Sequence, residues 1–172
     1  MGSRHKFISV SADVFFFNSI EFRITVAIKL NFVSVEHTPV CTAKSLVKNI
    51  KCVLQVYDRA EFTVIYLMMD REFEKVKELL LTIVNNTASA KEHVSEAERK
   101  IRVVKERNRG VVNTLPFTYI PRRMKIEFIY FVTLWLNAFP VKNSVSETFS
   151  PREILLLWRM DAKKHCRVLP GS

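Results

Sequence analysis

The spacing of apolar residues changes period several times along the chain, and each change marks an element. Residues 6–17, KFISVSADVFFF, alternate and then end in a β-favouring aromatic run, which predicts a strand. Residues 22–29, FRITVAIK, predict a second strand and 31–37, NFVSVEH, a third, with short turns at Asn18-Ser19 and Leu30-Asn31. Such tight links predict an antiparallel meander. From Val40 to Asp58 the apolar positions are 43, 46, 47, 50, 53, 54 and 57, which is helical spacing, with Thr42 or Pro39 at its start. Residues 62–69, FTVIYLMM, are apolar nearly throughout, as in a strand covered on both faces. Residues 71–81 return to helical spacing, Thr82-Ile83-Val84 predicts a short last strand, and Asn85 to Ala90 a polar loop. Residues 91–109 predict a long helix with the apolar stripe Val94, Ala97, Ile101 and Val104. Pro121, at the favoured first position, opens a helix running to about Ala138. Ser150-Pro151-Arg152-Glu153 is a capping box that opens a short helix over 151–159.

Three strands, a helix, a strand, a helix, a short strand and two further helices, ahead of the short helix over 151–159, are the element order of the RNase H-like fold. The expected architecture is therefore α/β, with a mixed five-stranded sheet (the antiparallel meander plus parallel strands) flanked by helices. The expected division is a core over 1–140 and a C-terminal extension with a short helix over 141–172. A chain of 172 residues, 48% apolar, suits one domain with a real core. Only 3 glycines leave little room for glycine-rich phosphate loops, and neither G-x-G-x-x-G nor Walker A is present. Cys41, Cys52 and Cys166 have no paired spacing, which points to a reducing compartment, and the histidines do not combine with them at zinc spacing. The most apolar run, residues 128–139, is too short for the roughly 20 residues that span a bilayer. It predicts a buried helix and no membrane partner.

The charge narrows the choice of partner. The net charge is +10, which favours polyanions. Residues 99–109, RKIRVVKERNR, concentrate six of the 27 Lys and Arg against one acid, Glu106.

Carboxylates suggest the chemistry. In the expected fold, the first strand and the strand after the first helix lie side by side at the sheet centre. Asp13 sits within the first, and Asp70 ends the other in YLMMDREFEKV, 66–76. The long helix offers Glu92, Glu96 or Glu98 as a third acid. Mg²⁺ prefers such oxygen ligands, and two ions held ~3.5–4 Å apart serve the attacking and leaving oxygens of an in-line displacement. Without metal, three clustered carboxylates repel one another. Glu96 and Glu98 flank the apolar stripe on opposite sides, so periodicity alone leaves the third ligand open. Glu98 shares its side with Arg102, Lys105 and Arg109, a ligand beside phosphate-binding cations. A solvated helix with ion pairs four residues apart has the same spacing.

Four segments carry a family resemblance: ADVFFFN around Asp13, MMDREF around Asp70, EAERKIRVVKER around Glu98, and WLNAFPVKNSVSETFSPREI over 135–154. Together they resemble the integrase catalytic core of retrotransposon polyproteins, most closely copia-type elements, within the retroviral-integrase-like superfamily. The resemblance implies a D,D,E site in which Asp13, Asp70 and Glu98 are catalytic and bind two Mg²⁺ or Mn²⁺ ions. It implies trimming of element cDNA ends and their joining to target DNA by attack of a 3′-hydroxyl. It also implies a homo-oligomer, a nuclear location with a cytoplasmic particle stage, and a polyprotein fragment. Arg99, Lys100, Arg102, Lys105 and Arg109 are read as the nucleic-acid-binding set, from the basic strip rather than from the family. The chain departs from the family pattern in a shorter span from Asp70 to Glu98, in the loop ASAKEHVSEA, and in Arg71-Glu72 where a glycine is common. Two other readings share these features: a catalytically dead nucleic-acid-binding remnant, and an assembly module using helix 126–139. Phe15 to Phe17, Met68-Met69, Trp135 and Trp158 are expected to pack, with an exposed Trp158 able to stack on a base.

Overall fold

The computed structural model describes residues 6–39, 42–69, 76 and 94–158. Its four strands, β1 (Lys6–Phe17), β2 (Ile20–Ala27), β3 (Phe32–His37) and β4 (Phe62–Met69), form one sheet in the order β3-β2-β1-β4. The first three make the antiparallel meander, and β4 lies parallel to β1. The helices are α1 (Ala43–Arg59), α2 (Val94–Asn113), α3 (Arg122–Ala138) and α4 (Pro151–Leu156). The predicted strand over 82–84 and helix over 71–81 lie outside the described residues, except Val76, which is helical and buried.

Local chemistry sets these boundaries. Asn18 and Ser19 both take positive φ, 48° and 61°, the left-handed pair that lets a two-residue hairpin follow the strand twist. The tight turn holds Phe17 opposite Ile20, so β2 starts two residues earlier than the apolar pattern suggests. Of the two candidate starts for α1, Thr42 is the N-cap, accepting a hydrogen bond from the Ser45 N–H at 3.2 Å. Pro121 is the N-cap of α3 rather than its first helical residue, because its ψ of 147° is extended. The capping box at α4 forms as expected, with Ser150 and Glu153 bonding reciprocally at 3.2 and 2.8 Å. That helix ends at Leu156, short of the predicted 159, because Leu157 turns left-handed at φ 52°.

Alternation along β1 divides the core in two. Ile8, Val10 and Ala12 pack with Leu46, Ile50 and Tyr57 of α1. Phe15 and Phe17 pack with Ala97, Ile101 and Val104 of α2 and with Ile129 and Val132 of α3. The sheet is thus a middle layer between helices. β4 carries an irregularity: Ile8 pairs with Val64 but Ser9 with Tyr66, leaving Ile65 as an extra residue. The extra residue resets the alternation, so that Leu67 and Met69 join Val64 on the α1 side. On the other side Thr63 and Tyr66 are exposed and Met68 is buried, so β4 is covered on both faces only towards its C-terminal end, not along its whole length as its composition suggests.

The run 128–139 is amphipathic rather than wholly buried. Ile129, Val132, Thr133 and Asn137 face inward, whereas Phe131, Leu134 and Phe139 are exposed. Among the described residues, no helix is long and apolar enough to cross a membrane.

Candidate functional site

Asp13 lies on the β1 face that α2 covers. Its cross-strand partner Ile24, like Phe15 and Phe17 further along the strand, belongs to the cluster shared with α2. The side chain is half-buried, and its Oδ1 accepts a hydrogen bond from the Val14 N–H at 2.7 Å, which restrains the carboxylate. On the parallel neighbour, the last paired residue of β4 is Met69, opposite Ala12. The next residues in sequence after these two strand positions are Asp13 and Asp70. Asp70 itself lies outside the described residues.

The second part of the site is on α2. Ala97, Ile101, Val104 and Asn108 form its buried side, at steps of four, three and four. Glu98, Arg102, Lys105 and Arg109 follow one residue later at the same steps, and all four line a shallow hollow of about 280 Å³. Glu98, Arg102 and Arg109 are exposed, whereas Lys105 is half-buried. Lys105 Nζ lies 5.7 Å from the centre of the Phe15 ring, within reach of a cation–π attraction. Phe15 is two residues beyond Asp13 on the same face, so this contact ties the cationic side of α2 to the strand bearing Asp13.

The basic strip does not act as one surface. Arg99 pairs with Glu96 at 2.9 Å, one turn back. Lys100 is half-buried; burial pushes its pKa down, the Glu96 carboxylate offsets this in part, and Arg107 adds to the lowering. Of the predicted nucleic-acid set, Arg102, Lys105 and Arg109 therefore share a hollow with Glu98, while Arg99 is engaged with the alternative acid, Glu96. Asp13 and Glu98 are the described members of the expected carboxylate trio. Among the described residues, no group of three or more His, Cys, Asp or Glu could hold a metal ion. The three expected donors are all carboxylates, which suits a hard ion such as Mg²⁺ or Mn²⁺.

Two aromatic residues depart from the packed role expected for them. Phe16 is 57% exposed while Phe15 and Phe17 are buried. The period of two along β1 already held that signal. Trp158 is partly exposed, with the Arg152 guanidinium 4.3 Å from its ring centre. A larger hollow of about 380 Å³ between α1 and β4, lined by Lys51, Leu54, Asp58 and Phe62, contains none of the expected site residues.

No protein-family model matches the chain, and no curated protein matches it. Among solved structures, the chain is similar to the crystal structure of the catalytic core domain of BIV integrase. The TM-score is 0.58 at 18% sequence identity, over 87% of this chain and 93% of that one. At this identity the likeness defines the fold: the chain has the mixed α/β, RNase H-like fold, with four strands among its described residues.

Proposed function

We propose that the chain is the DNA-binding catalytic core of an integrase from a copia-type retrotransposon polyprotein. In this reading it trims element cDNA ends and joins them to target DNA by two-metal phosphoryl transfer. The single observation that carries the reading is the hollow shared by Glu98, Arg102, Lys105 and Arg109, on the helix that covers the Asp13 strand. It puts a carboxylate among cations on an integrase-like fold, which is what a site cutting or joining a polyanion requires.

Asp13, Asp70 and Glu98 would hold two Mg²⁺ or Mn²⁺ ions. When bound, the ions supply activation of the attacking oxygen and charge stabilisation of the leaving one. The chain's own contribution is positioning. Arg102, Lys105 and Arg109 bind successive backbone phosphates and set the register of the strand over the carboxylates. Phe15 limits the freedom of Lys105, so less side-chain entropy is lost when a phosphate binds. A homo-oligomer acting in the nucleus, after a cytoplasmic particle stage, belongs to the same proposal.

The test is incubation of the purified chain with duplex oligonucleotides in Mg²⁺ or Mn²⁺. The expected result is nicking or strand joining that disappears in EDTA and in Asp70→Asn. DNA binding without any divalent-dependent product, for wild type and Asp70→Asn alike, would reduce the chain to a catalytically dead nucleic-acid-binding remnant.

A further inference from the structure

A second charged surface lies on α1, which packs on the sheet face opposite to the one α2 covers. Lys44, Lys48, Lys51, Gln55 and Asp58 recur at steps of four, three, four and three, so they form one column along the helix. All five are exposed. Asp58 is the first acid in α1, so three lysines precede it with no acid of their own helix among them. Among the described residues, none of the three is in an ion pair. The column runs into the hollow of about 380 Å³ between α1 and β4. Lys51, Gln55 and Asp58 form its polar rim, and Leu54, Phe62 and Val64 its apolar wall. Those three pack with the core cluster beneath α1, and Phe62 is only 4% exposed. The volume falls within the roughly 300–1,000 Å³ of ligand sites. The lysines, however, continue for about 10 Å beyond Lys51, at 1.5 Å per helical residue. A ligand that meets both is elongated, with negative charge at one end and an apolar group at the other.

We propose that this groove docks a short acidic peptide segment of a partner protein, with one large apolar side chain as its anchor. The anchor enters the hollow against Leu54, Phe62 and Val64, and the carboxylates beside it lie along Lys51, Lys48 and Lys44. The desolvated anchor supplies most of the affinity, and the lysines supply encounter rate and orientation. Asp58, at the other end of the hollow, disfavours acids beyond the anchor. A nucleic-acid strand matches this surface poorly. Its phosphates run on without a break and would meet the Asp58 carboxylate. The one aromatic ring lining the hollow, Phe62, is buried, so no exposed ring is offered to a base. The inference concerns the face away from Asp13 and Glu98 and depends on neither the DNA-binding nor the catalytic reading.

The experiment measures fluorescence anisotropy of the full chain with a short labelled peptide in which a run of glutamates precedes a single tryptophan. Wild type is expected to bind it saturably, and less tightly as salt rises. Exchanging the tryptophan of the peptide for alanine should weaken binding about tenfold or more, as loss of a buried anchor does. Lys44→Glu and Lys48→Glu together should weaken it about tenfold. Gln55→Trp, which fills the hollow from its rim, should erase the difference between the tryptophan and alanine peptides. Saturating duplex DNA should leave the peptide bound, because the cations proposed for DNA lie across the sheet. Thermal melting of each variant separates a binding loss from unfolding. Absence of saturable binding, equal affinity for the two peptides, or no effect of the paired lysine changes would overturn the inference. Displacement of the peptide by duplex, with duplex binding weakened as much by the paired lysine changes, would also overturn it, by assigning the column to nucleic acid.

Discussion

Asn137 of α3 closes a double hydrogen bond with the backbone of Val33: its Oδ1 accepts from the Val33 N–H at 2.8 Å and its Nδ2 donates to the Val33 carbonyl at 2.6 Å. Among the described residues β3 is an edge strand of the sheet, so this amide stands where a neighbouring strand would be. Two turns earlier on the same helix, the Tyr130 hydroxyl accepts from the His37 N–H at 3.0 Å. The helix thereby satisfies backbone groups that an open edge leaves available for pairing with another chain.

Asn137→Ala should therefore be among the costly single changes in the protein. It leaves a buried N–H and a buried C=O of Val33 without partners, which costs roughly 2–4 kcal/mol in all. Asn137→Asp keeps the acceptor but loses the donor, and should also destabilise. Urea unfolding checks both. A loss below about 0.5 kcal/mol in Asn137→Ala would mean that water replaces the amide, and the edge-covering role would be abandoned.

The Tyr57 hydroxyl is buried and, among the described residues, has no hydrogen-bond partner. Burial drives its pKa well above the ordinary phenol value of about 10. Tyr130 moves the same way, through burial first, with the His37 backbone opposing and the Glu36 and Glu127 carboxylates adding to the rise. In the alkaline range the folded chain keeps protons that the unfolded chain releases. The stability linked to these phenols is thus full below about pH 10 and is lost as pH climbs through the folded-state values. Tyr57→Phe should flatten that alkaline fall. At neutral pH it should be neutral or stabilising by up to about 1 kcal/mol, because an unpaired buried hydroxyl is removed. Denaturation midpoints across pH 8–11 read both effects, and a steeper alkaline fall in the variant would contradict them.

Periodicity carried much of the architecture. The alternation over 31–37 anticipates β3, and the apolar steps of three and four anticipate α2, because burying one face is what forms each element. What escaped depends on approach in three dimensions. The extra residue at Ile65 shows only as an odd step between Val64 and Leu67, which the apolar composition of the strand conceals. The division of the basic strip, with Arg99 toward Glu96 and Lys105 toward Phe15, requires the helix rotation and the strand beneath it. Asn137 lies in the segment 135–154 that carries part of the resemblance, but nothing there pointed to Val33, because the bond between them spans 104 residues. Asp70 and the segment that follows it lie outside the described residues, so that side of the site rests on the sequence.

Salt dependence separates the cations. Arg102 and Lys105 share the hollow with Glu98, whereas Arg99 is held by Glu96. Each phosphate contact adds close to one unit to the slope of log affinity against log salt. Arg102→Ala and Lys105→Met should each lower that slope by about one on duplex DNA. Arg99→Ala should change it less, since its charge is already partly neutralised. Equal effects from all three would mean that DNA lies across the whole strip and that the division seen in the structure is lost on binding.

The choice of third carboxylate can be decided by two variants of equal chemical size. Glu98→Gln removes an acid from the hollow that also holds Arg102, Lys105 and Arg109. Glu96→Gln removes one that is paired with Arg99 at the helix surface, a loss of at most about 0.5 kcal/mol of stability. Neither change empties the core, so thermal stability should barely move in either. If Glu98 is the ligand, divalent-dependent cleavage in Glu98→Gln falls to background while Glu96→Gln stays near wild type. DNA binding in EDTA should weaken in neither. It should tighten slightly in Glu98→Gln, because a negative charge has left the phosphate track. The reverse pattern, with activity lost in Glu96→Gln alone, would place the metal on the opposite side of α2, away from the Lys105–Phe15 contact and from the cations proposed to position the strand.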